Sequence, residues 1–163
     1  MSKTTRVLLV DDDESAFLVY SRRFQQAFGN SVVLDHCQDD GMLDDILSHV
    51  SYAVVVLDQM LQNGTTGLDL VPTIRRFGNG ARILMNSGYG SEELAAKAIE
   101  AGVDGYVLGK KEDVERLVQG VREALTSHDQ VERIRADVMT KRSSLLHQRC
   151  DRLRKMARER ISP

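Results

Sequence analysis

Four short apolar runs, each ending abruptly in a polar or charged residue, constrain the fold of this chain more than any other feature. They occur at residues 7–14, 54–60, 83–90 and 105–111, with stretches of helical periodicity between them. Apolar strands that alternate with helices are typical of an open parallel sheet covered on both faces. In such a sheet, the residues just past the carboxyl ends of the strands share one crevice. The sequence therefore predicts that the polar ends of these runs gather at one edge.

Five β-α units are predicted within the first 127 residues. The strands are placed at Arg6–Val10, Val32–Cys37, Tyr52–Leu57, Arg82–Asn86 and Gly105–Leu108. Each strand is followed by apolar residues at helical spacing, so consecutive strands should run parallel through right-handed crossovers. The predicted fold class is α/β, a doubly wound five-stranded parallel sheet.

The ends of the helices are indicated by capping residues. Gly29 is predicted to close the first helix, and Ser91 is predicted to cap the fourth. The third helix is expected to begin no earlier than Asp69, with Asp69 as its N-cap, because Pro72 is tolerated only near a first turn.

The sign of the net charge changes along the chain. Residues 1–127 carry 12 Lys and Arg against 19 Asp and Glu, whereas residues 128–163 carry 10 against 5. A change of this kind indicates a boundary, and we expect a compact domain over 1–127 and a helical extension over 128–163. No proline occurs from Asp113 to Ile161, which predicts one long C-terminal helix.

The helical extension carries a broken heptad pattern. Apolar residues recur at 131, 134, 138, 145, 153 and 156, and basic or amide residues interrupt them at 141, 142, 148 and 149. The pattern is too narrow for a folded domain and too apolar for a lone helix in water. We therefore expect a coiled coil or a signalling helix, and a homodimer formed through it. Nucleic acid is not an expected partner, because arginines scattered around one helix are typical of a solvated coiled-coil face.

The chain lacks the sequence signals of export or membrane insertion. Its longest uninterrupted apolar runs are a handful of residues, far from the roughly 20 that cross a bilayer. Near the N-terminus a short apolar run is followed directly by Asp11, whereas a secretory signal has a longer apolar region. We expect a cytoplasmic protein with no membrane partner, in which Cys37 and Cys150 are reduced thiols.

The predicted sheet edge is rich in carboxylates. Asp11, Asp12 and Asp13 follow the first strand, and Asp58 ends another buried strand. The three adjacent acids alone are also consistent with a helix N-cap and a solvated loop. Carboxylates held together repel one another, and a hard divalent cation with oxygen-only ligands, Mg²⁺, removes that repulsion. One carboxylate can then act as a nucleophile towards a phosphoryl group, with Ser87 and a lysine near residue 110 available to its oxygens.

In identity, order and spacing these residues resemble the receiver domain of two-component response regulators over about residues 6–126. The resemblance implies a flavodoxin-like fold with strand order 2-1-3-4-5. It implies that Asp58 is the phospho-acceptor, that Asp12 ligates Mg²⁺ directly and that Asp11 acts through water. Met60 would contribute its backbone carbonyl to the same metal.

The same resemblance assigns the switch residues. Ser87 stands at the switch hydroxyl, Tyr106 at the rotating aromatic residue and Lys110 at the invariant lysine. An aromatic residue at the end of a strand is also consistent with a simple core role. The family normally has its lysine where this chain has Gly109, so Lys110 reaches the site only if Gly109 forms a bulge; Lys111 is the alternative. The proline that usually follows this lysine is absent, and Gln62 replaces another usual proline after Asp58.

The resemblance implies a receiver that takes a phosphoryl group from a sensor histidine kinase or a phosphotransfer protein. We expect the chain to be no enzyme beyond promoting its own phosphorylation and dephosphorylation. Met60 and Tyr89 occupy positions that tune dephosphorylation in the family, and neither side chain can hold an attacking water, so slow autohydrolysis is predicted. His128 and His147 are not expected to be phosphorylated, because a kinase dimerisation domain needs two antiparallel helices.

Two other interpretations compete with this one. The chain could be a pseudo-receiver that is never phosphorylated and acts as a constitutive interaction or dimerisation module. It could also be a flavodoxin-like enzyme or FMN carrier, but that requires a phosphate-cradling loop after the first strand, where this chain has acids. The cognate kinase, the output target and the completeness of the chain are not determined by the sequence.

Overall fold

The computed structural model describes residues 4–108 and 113–161, with side chains described to residue 154 except at residue 63. Its strands are β1 (Thr5–Val10), β2 (Val32–Cys37), β3 (Val54–Asp58), β4 (Arg82–Ser87) and β5 (Gly105–Leu108). All neighbouring strands pair in parallel, in the order β2-β1-β3-β4-β5. The predicted α/β class and flavodoxin-like strand order are confirmed.

Within the described residues, five α-helices connect or follow the strands. They are α1 (Glu14–Phe28), α2 (Leu43–His49), α3 (Gly67–Phe77), α4 (Glu92–Glu100) and α5 (Val114–Ile161). The predicted caps are confirmed at two of them. Gly29 ends α1 with a φ of 56°, and the Ser91 hydroxyl accepts a hydrogen bond from the Leu94 N–H at 3.2 Å. The long C-terminal helix is also confirmed.

The predicted start of the third helix was wrong. Helix α3 begins at Gly67 with Thr66 as its N-cap, so Pro72 lies inside the helix rather than in its first turn. Asp69 instead completes a capping box, because its carboxylate accepts the Thr66 N–H at 2.8 Å. The hydrogen bonds from Thr66 lower the pKa of Asp69. The N-cap therefore lies three residues before the predicted one. Pro72 costs the helix one internal hydrogen bond.

Two apolar layers enclose the sheet. Helices α2, α3 and α4 cover one face, and α1 and the first turns of α5 cover the other. On the α1/α5 face the buried strand residues alternate along the chain, as Val7 and Leu9 in β1 and Val54 and Val56 in β3. The next residue of this face in β3 is Asp58, and its register partner in β4 is Asn86. Period-two alternation therefore places Asp58 at the polar end of a buried stripe.

The chain divides into two compact units, residues 1–128 and residues 129–163. The domain limits inferred from the change of charge remain a prediction. The second unit is helical, and its large apolar side chains are exposed at Ile134, Val138, Met139, Leu145, Leu146 and Leu153. Pairs three or four residues apart, such as Lys141 with Asp137 at 2.8 Å, support this helix. Within the described part of the chain, none of the helices has the length and apolarity to span a membrane.

Candidate functional site

Three carboxylates converge where β1 and β3 end. Asp11, Asp12 and Asp58 each offer an oxygen, and these three oxygens lie within 4.8 Å of one another. The two strands are hydrogen-bonded neighbours. Their pairing therefore brings Asp11 and Asp12, which follow β1, close to Asp58, which ends β3. Asp11 is buried, whereas Asp12 and Asp58 are half-buried. The convergence of acids that the sequence predicted at this edge is therefore present in the fold.

Hydrogen bonds to the backbone orient the carboxylates. The Asp13 N–H donates to Asp11 Oδ1 at 2.9 Å, and the Gln59 N–H donates to Asp58 Oδ1 at 2.9 Å. Bonds of this kind stabilise the charged form of a carboxylate. Asp13 serves in addition as the N-cap of α1, accepting the N–H of Ser15 at 2.9 Å. Asp13 is thus a cap, whereas Asp11 and Asp12 form the cluster together with Asp58.

A histidine also contacts the segment that follows β1. His36 in β2 has its Nε2 2.7 Å from the backbone carbonyl oxygen of Asp11. Its ring stacks on Phe17 of α1, with centroids 4.5 Å apart and planes 10° from parallel. These contacts hold the backbone at Asp11, and no pattern in the sequence indicated them.

The loop after Asp58 folds into a tight turn. Met60 and Thr66 form an antiparallel bridge, and the Gly67 N–H donates to the Gln59 carbonyl at 3.2 Å. A Cβ on Gly67 would overlap the Asp58 carbonyl oxygen and reach Met85 Sδ at 3.0 Å. Glycine is therefore required for this approach. The turn closes without a proline at Gln62, and it leaves the Met60 side chain 63% exposed.

The donor set fits a magnesium ion. The cluster offers carboxylate oxygens and no nitrogen or sulfur ligand, which is the chemistry that Mg²⁺ prefers. The backbone carbonyl of Met60 lies two residues beyond Asp58. Three carboxylates this close repel one another, and a divalent cation bound between them would remove that repulsion.

Ser87 and Tyr106 lie on the strands beyond β3. Ser87 is the last residue of β4 and is 1% exposed, one residue past the register partner of Asp58. Tyr106 is in β5 and is half-buried, with its ring packed against the α2/α3/α4 core layer. Its hydroxyl is buried and has no hydrogen-bond partner among the described residues. Ser87 thus lies one strand away from Asp58, and Tyr106 lies two strands away.

The predicted lysine position lies outside the described residues. Gly109, Lys110 and Lys111 all fall in the gap between β5 and α5, so the choice between the two lysines stays a prediction. At the edge of this gap, Arg116 Nη1 donates to the carbonyl of Leu108 at 2.9 Å.

Sequence reasoning missed one polar residue beside Asp58. Asn86 is buried in β4 directly after the apolar residues 83–85, and its Nδ2 donates to the Tyr20 hydroxyl at 3.2 Å. An amide that directly follows an apolar run was a visible signal. Its partner, however, is 66 residues away along the chain and could not be identified from spacing.

Comparison with known proteins gives a consistent picture. The family model for the response regulator receiver domain matches residues 7–122. The probable transcriptional regulatory protein SilR of Salmonella typhimurium is 30% identical over 104 residues, which cover 63% of this chain and 43% of SilR. The chain therefore spans less than half the length of this curated relative.

Solved structures share the fold as well. A two-component response regulator of the LuxR family from Aurantimonas sp. SI85-9A1 is 32% identical, with a TM-score of 0.65 over 77% of this chain and 87% of that one. A response regulator from Burkholderia pseudomallei, solved with a phosphorylated aspartic acid, a calcium ion and citrate, is 25% identical. Its TM-score is 0.61 over 81% of this chain and 73% of that one.

Proposed function

The chain belongs to the response regulator receiver domain family, and we propose that it accepts a phosphoryl group on Asp58 from a phosphohistidine. The donor would be a sensor histidine kinase or a phosphotransfer protein, as the family implies. The observation that supports this proposal best is the convergence of Asp11, Asp12 and Asp58 within 4.8 Å at the carboxyl edge of the sheet. A structural relative that carries a phosphorylated aspartic acid adds support.

In the proposed reaction an Asp58 carboxylate oxygen attacks the phosphorus of the donor. The new O–P bond forms as the N–P bond of the phosphohistidine breaks, and the imidazole leaves with the bonding electron pair and takes up a proton. The Gln59 N–H, 2.9 Å from Asp58 Oδ1, orients the carboxylate for the attack. Mg²⁺ held by Asp11, Asp12, Asp58 and the Met60 carbonyl would neutralise the charge on the phosphoryl oxygens.

The proposed switch follows from the added negative charge. A phosphoryl dianion on Asp58 would attract the Ser87 hydroxyl and the ammonium of Lys110. Tyr106 would move with Ser87, since Tyr106 is in register with Met85, two residues before Ser87 on β4. Local electrostatics would thereby bias a two-state element formed by the β4-α4 and β5-α5 units.

Incubation with acetyl phosphate and Mg²⁺ tests the assignment. The intact protein should gain one phosphoryl group, and digestion should place it on Asp58. Asp58→Asn should remain unlabelled, whereas Asp13→Asn should be labelled, because Asp13 caps α1. Equal labelling of Asp58→Asn, or no binding of Mg²⁺ in a titration, would refute the proposal in favour of an unphosphorylated interaction module.

We further propose that residues 128–163 form a homodimerisation or signalling helix. Its exposed apolar side chains, including Leu146 at 54% and Leu153 at 57%, require a partner surface in water. A second copy would bury them in a coiled coil. Light scattering on the full chain should give the mass of a dimer, and Leu146→Glu should reduce it to a monomer. Ser144→Glu, at another exposed position of the same helix, is the matched control. A monomeric wild type would refute the dimer.

A further inference from the structure

A buried hydrogen bond ties helix α1 to the strand that carries Ser87. Asn86 Nδ2 donates to the Tyr20 hydroxyl at 3.2 Å, and the two residues are 7% and 2% exposed. A buried amide is unfavourable unless it is hydrogen-bonded. The tyrosine therefore restricts the Asn86 side chain to one orientation inside the α1/α5 core layer.

Asn86 is adjacent to both Asp58 and Ser87, the two groups with roles in the proposed phosphoryl transfer and switch. Across the sheet it is the register partner of Asp58, and along β4 it precedes Ser87. Register partners on parallel strands project from the same face, about 4.8 Å apart. The Asn86 side chain thus stands on the same face of the sheet as Asp58, one strand away.

The backbone of Asn86 also accepts the hydrogen bond from the N–H group that orients Asp58. The Gln59 N–H is shared between the Asn86 carbonyl oxygen, at 3.1 Å, and Asp58 Oδ1, at 2.9 Å. A displacement of Asn86 would alter both the bond that orients the Asp58 carboxylate and the position of Ser87. The Tyr20 hydroxyl is fixed to α1, whose other buried residues anchor it in the core.

We infer that Tyr20 and Asn86 are positioning residues, which align the Ser87 hydroxyl and the Asp58 carboxylate for phosphoryl transfer. This inference rests on the proposed function of Asp58. Neither residue would contact the metal, since the proposed ligands lie on β1, β3 and the loop after β3. The pair should therefore act on the rate of transfer and not on the affinity for Mg²⁺.

The test measures phosphorylation of the full chain by acetyl phosphate at saturating Mg²⁺. Tyr20→Phe keeps the ring and removes the hydroxyl. It should lower the rate at saturating donor about 3- to 10-fold, the change expected from the loss of one neutral hydrogen bond. The dissociation constant for Mg²⁺ and the donor concentration at half-maximal rate should stay unchanged.

Two further variants separate positioning from general stability. Tyr52→Phe removes the hydroxyl of another buried tyrosine, one that interacts with Asp35 and Arg6 at the opposite end of the strands. It should leave the rate unchanged even where its melting temperature falls as far as that of Tyr20→Phe. In an Asn86→Leu background, Tyr20→Phe should have a smaller effect on the rate, because the hydrogen bond between Tyr20 and Asn86 is already absent.

Each outcome decides the inference. An unaffected rate in Tyr20→Phe, an equal loss in Tyr52→Phe, a parallel loss of Mg²⁺ affinity, or an undiminished effect in the Asn86→Leu background would overturn it. The proposed function fails separately, if the wild-type chain takes up no phosphoryl group; the positioning role then falls with it. A labelled wild type with an unaffected Tyr20→Phe refutes the positioning role alone.

Discussion

Gly90, in the loop before α4, lies directly against Tyr106 of β5. A Cβ built on Gly90 would overlap Leu108 Cδ1, and it would stand 2.7 Å from the Tyr106 hydroxyl oxygen and 3.1 Å from Tyr106 Cε1. These separations are shorter than van der Waals contact, so the absence of a side chain at residue 90 is what permits the observed positions of the Tyr106 ring and the Leu108 side chain. The loop that follows Ser87 is thereby coupled to the proposed switch residue by packing alone.

We predict that Gly90→Ala displaces the Tyr106 ring from this position. Overpacking of this kind costs about 1–3 kcal/mol of stability, and urea unfolding should show it. In a background that carries both Tyr106→Ala and Leu108→Ala, the same substitution should cost much less, because the atoms that the new Cβ would meet are gone. An equal loss in both backgrounds would show that the strain arises elsewhere in the loop.

Gly67→Ala should damage the acidic site directly. Its Cβ would collide with the backbone carbonyl of Asp58, which cannot rotate away as a side chain could. We expect weaker Mg²⁺ binding together with a lower melting temperature. Gly41→Ala is the control, since its Cβ would meet only the end of the Asp39 side chain, at 3.1 Å. Unchanged Mg²⁺ affinity in Gly67→Ala would contradict the prediction.

Asp104 connects α3, β4 and the turn before β5 at the end of the sheet opposite to the acidic cluster. Its carboxylate accepts hydrogen bonds from Arg75 at 2.8 Å, Arg82 at 2.9 Å and the Ile83 N–H at 2.8 Å. Burial would raise the pKa of Asp104, but the Ile83 N–H and the two guanidinium groups outweigh it and hold the pKa below its ordinary value.

A pKa that is lowered on folding contributes stability above the pKa of the unfolded chain, and that contribution disappears as the pH falls through the folded pKa. Asp104→Asn should therefore destabilise the protein by about 1–3 kcal/mol at pH 7. The difference from wild type should shrink as the pH falls below 4. Asp113→Asn, which among the described residues removes an exposed ion pair with Arg116, should show little effect at either pH. A constant difference across this range would refute the role of the charge.

The two cysteines should differ in reactivity. Burial, and then the charges of Asp39 and Asp40, raise the pKa of Cys37 to about 11, so roughly one thiol in a thousand is ionised at pH 8. Cys150 is exposed. A disulfide reagent at pH 8 should therefore modify one thiol rapidly, and Cys150→Ser should abolish this fast phase. Fast modification that persists in Cys150→Ser would show that Cys37 is accessible.

The acidic cluster could be predicted because it depends on local features. Asp11 and Asp58 each end an apolar strand, and parallel strands bring their carboxyl ends to one edge whatever fills the space between them. The caps at Gly29 and Ser91 were predictable for the same reason, since they depend on backbone conformation within a few residues. The start of α3 was missed because an aspartate can either be the N-cap itself or accept the N–H of an N-cap three residues earlier. Asp69 does the second, and the two roles look alike in sequence.

The sequence by itself determined the alternation of strands and helices, the strand ends and the identity of the acids, because these follow from periodicity and from the chemistry of neighbouring residues. Only the tertiary structure decided that Tyr20 meets Asn86, that Gly90 makes room for Tyr106, and that Gly67 fits under the carbonyl of Asp58. These contacts join residues whose separation along the chain carries no signal. Each depends on how the helices and loops pack against the sheet, because this packing determines which buried groups come into contact.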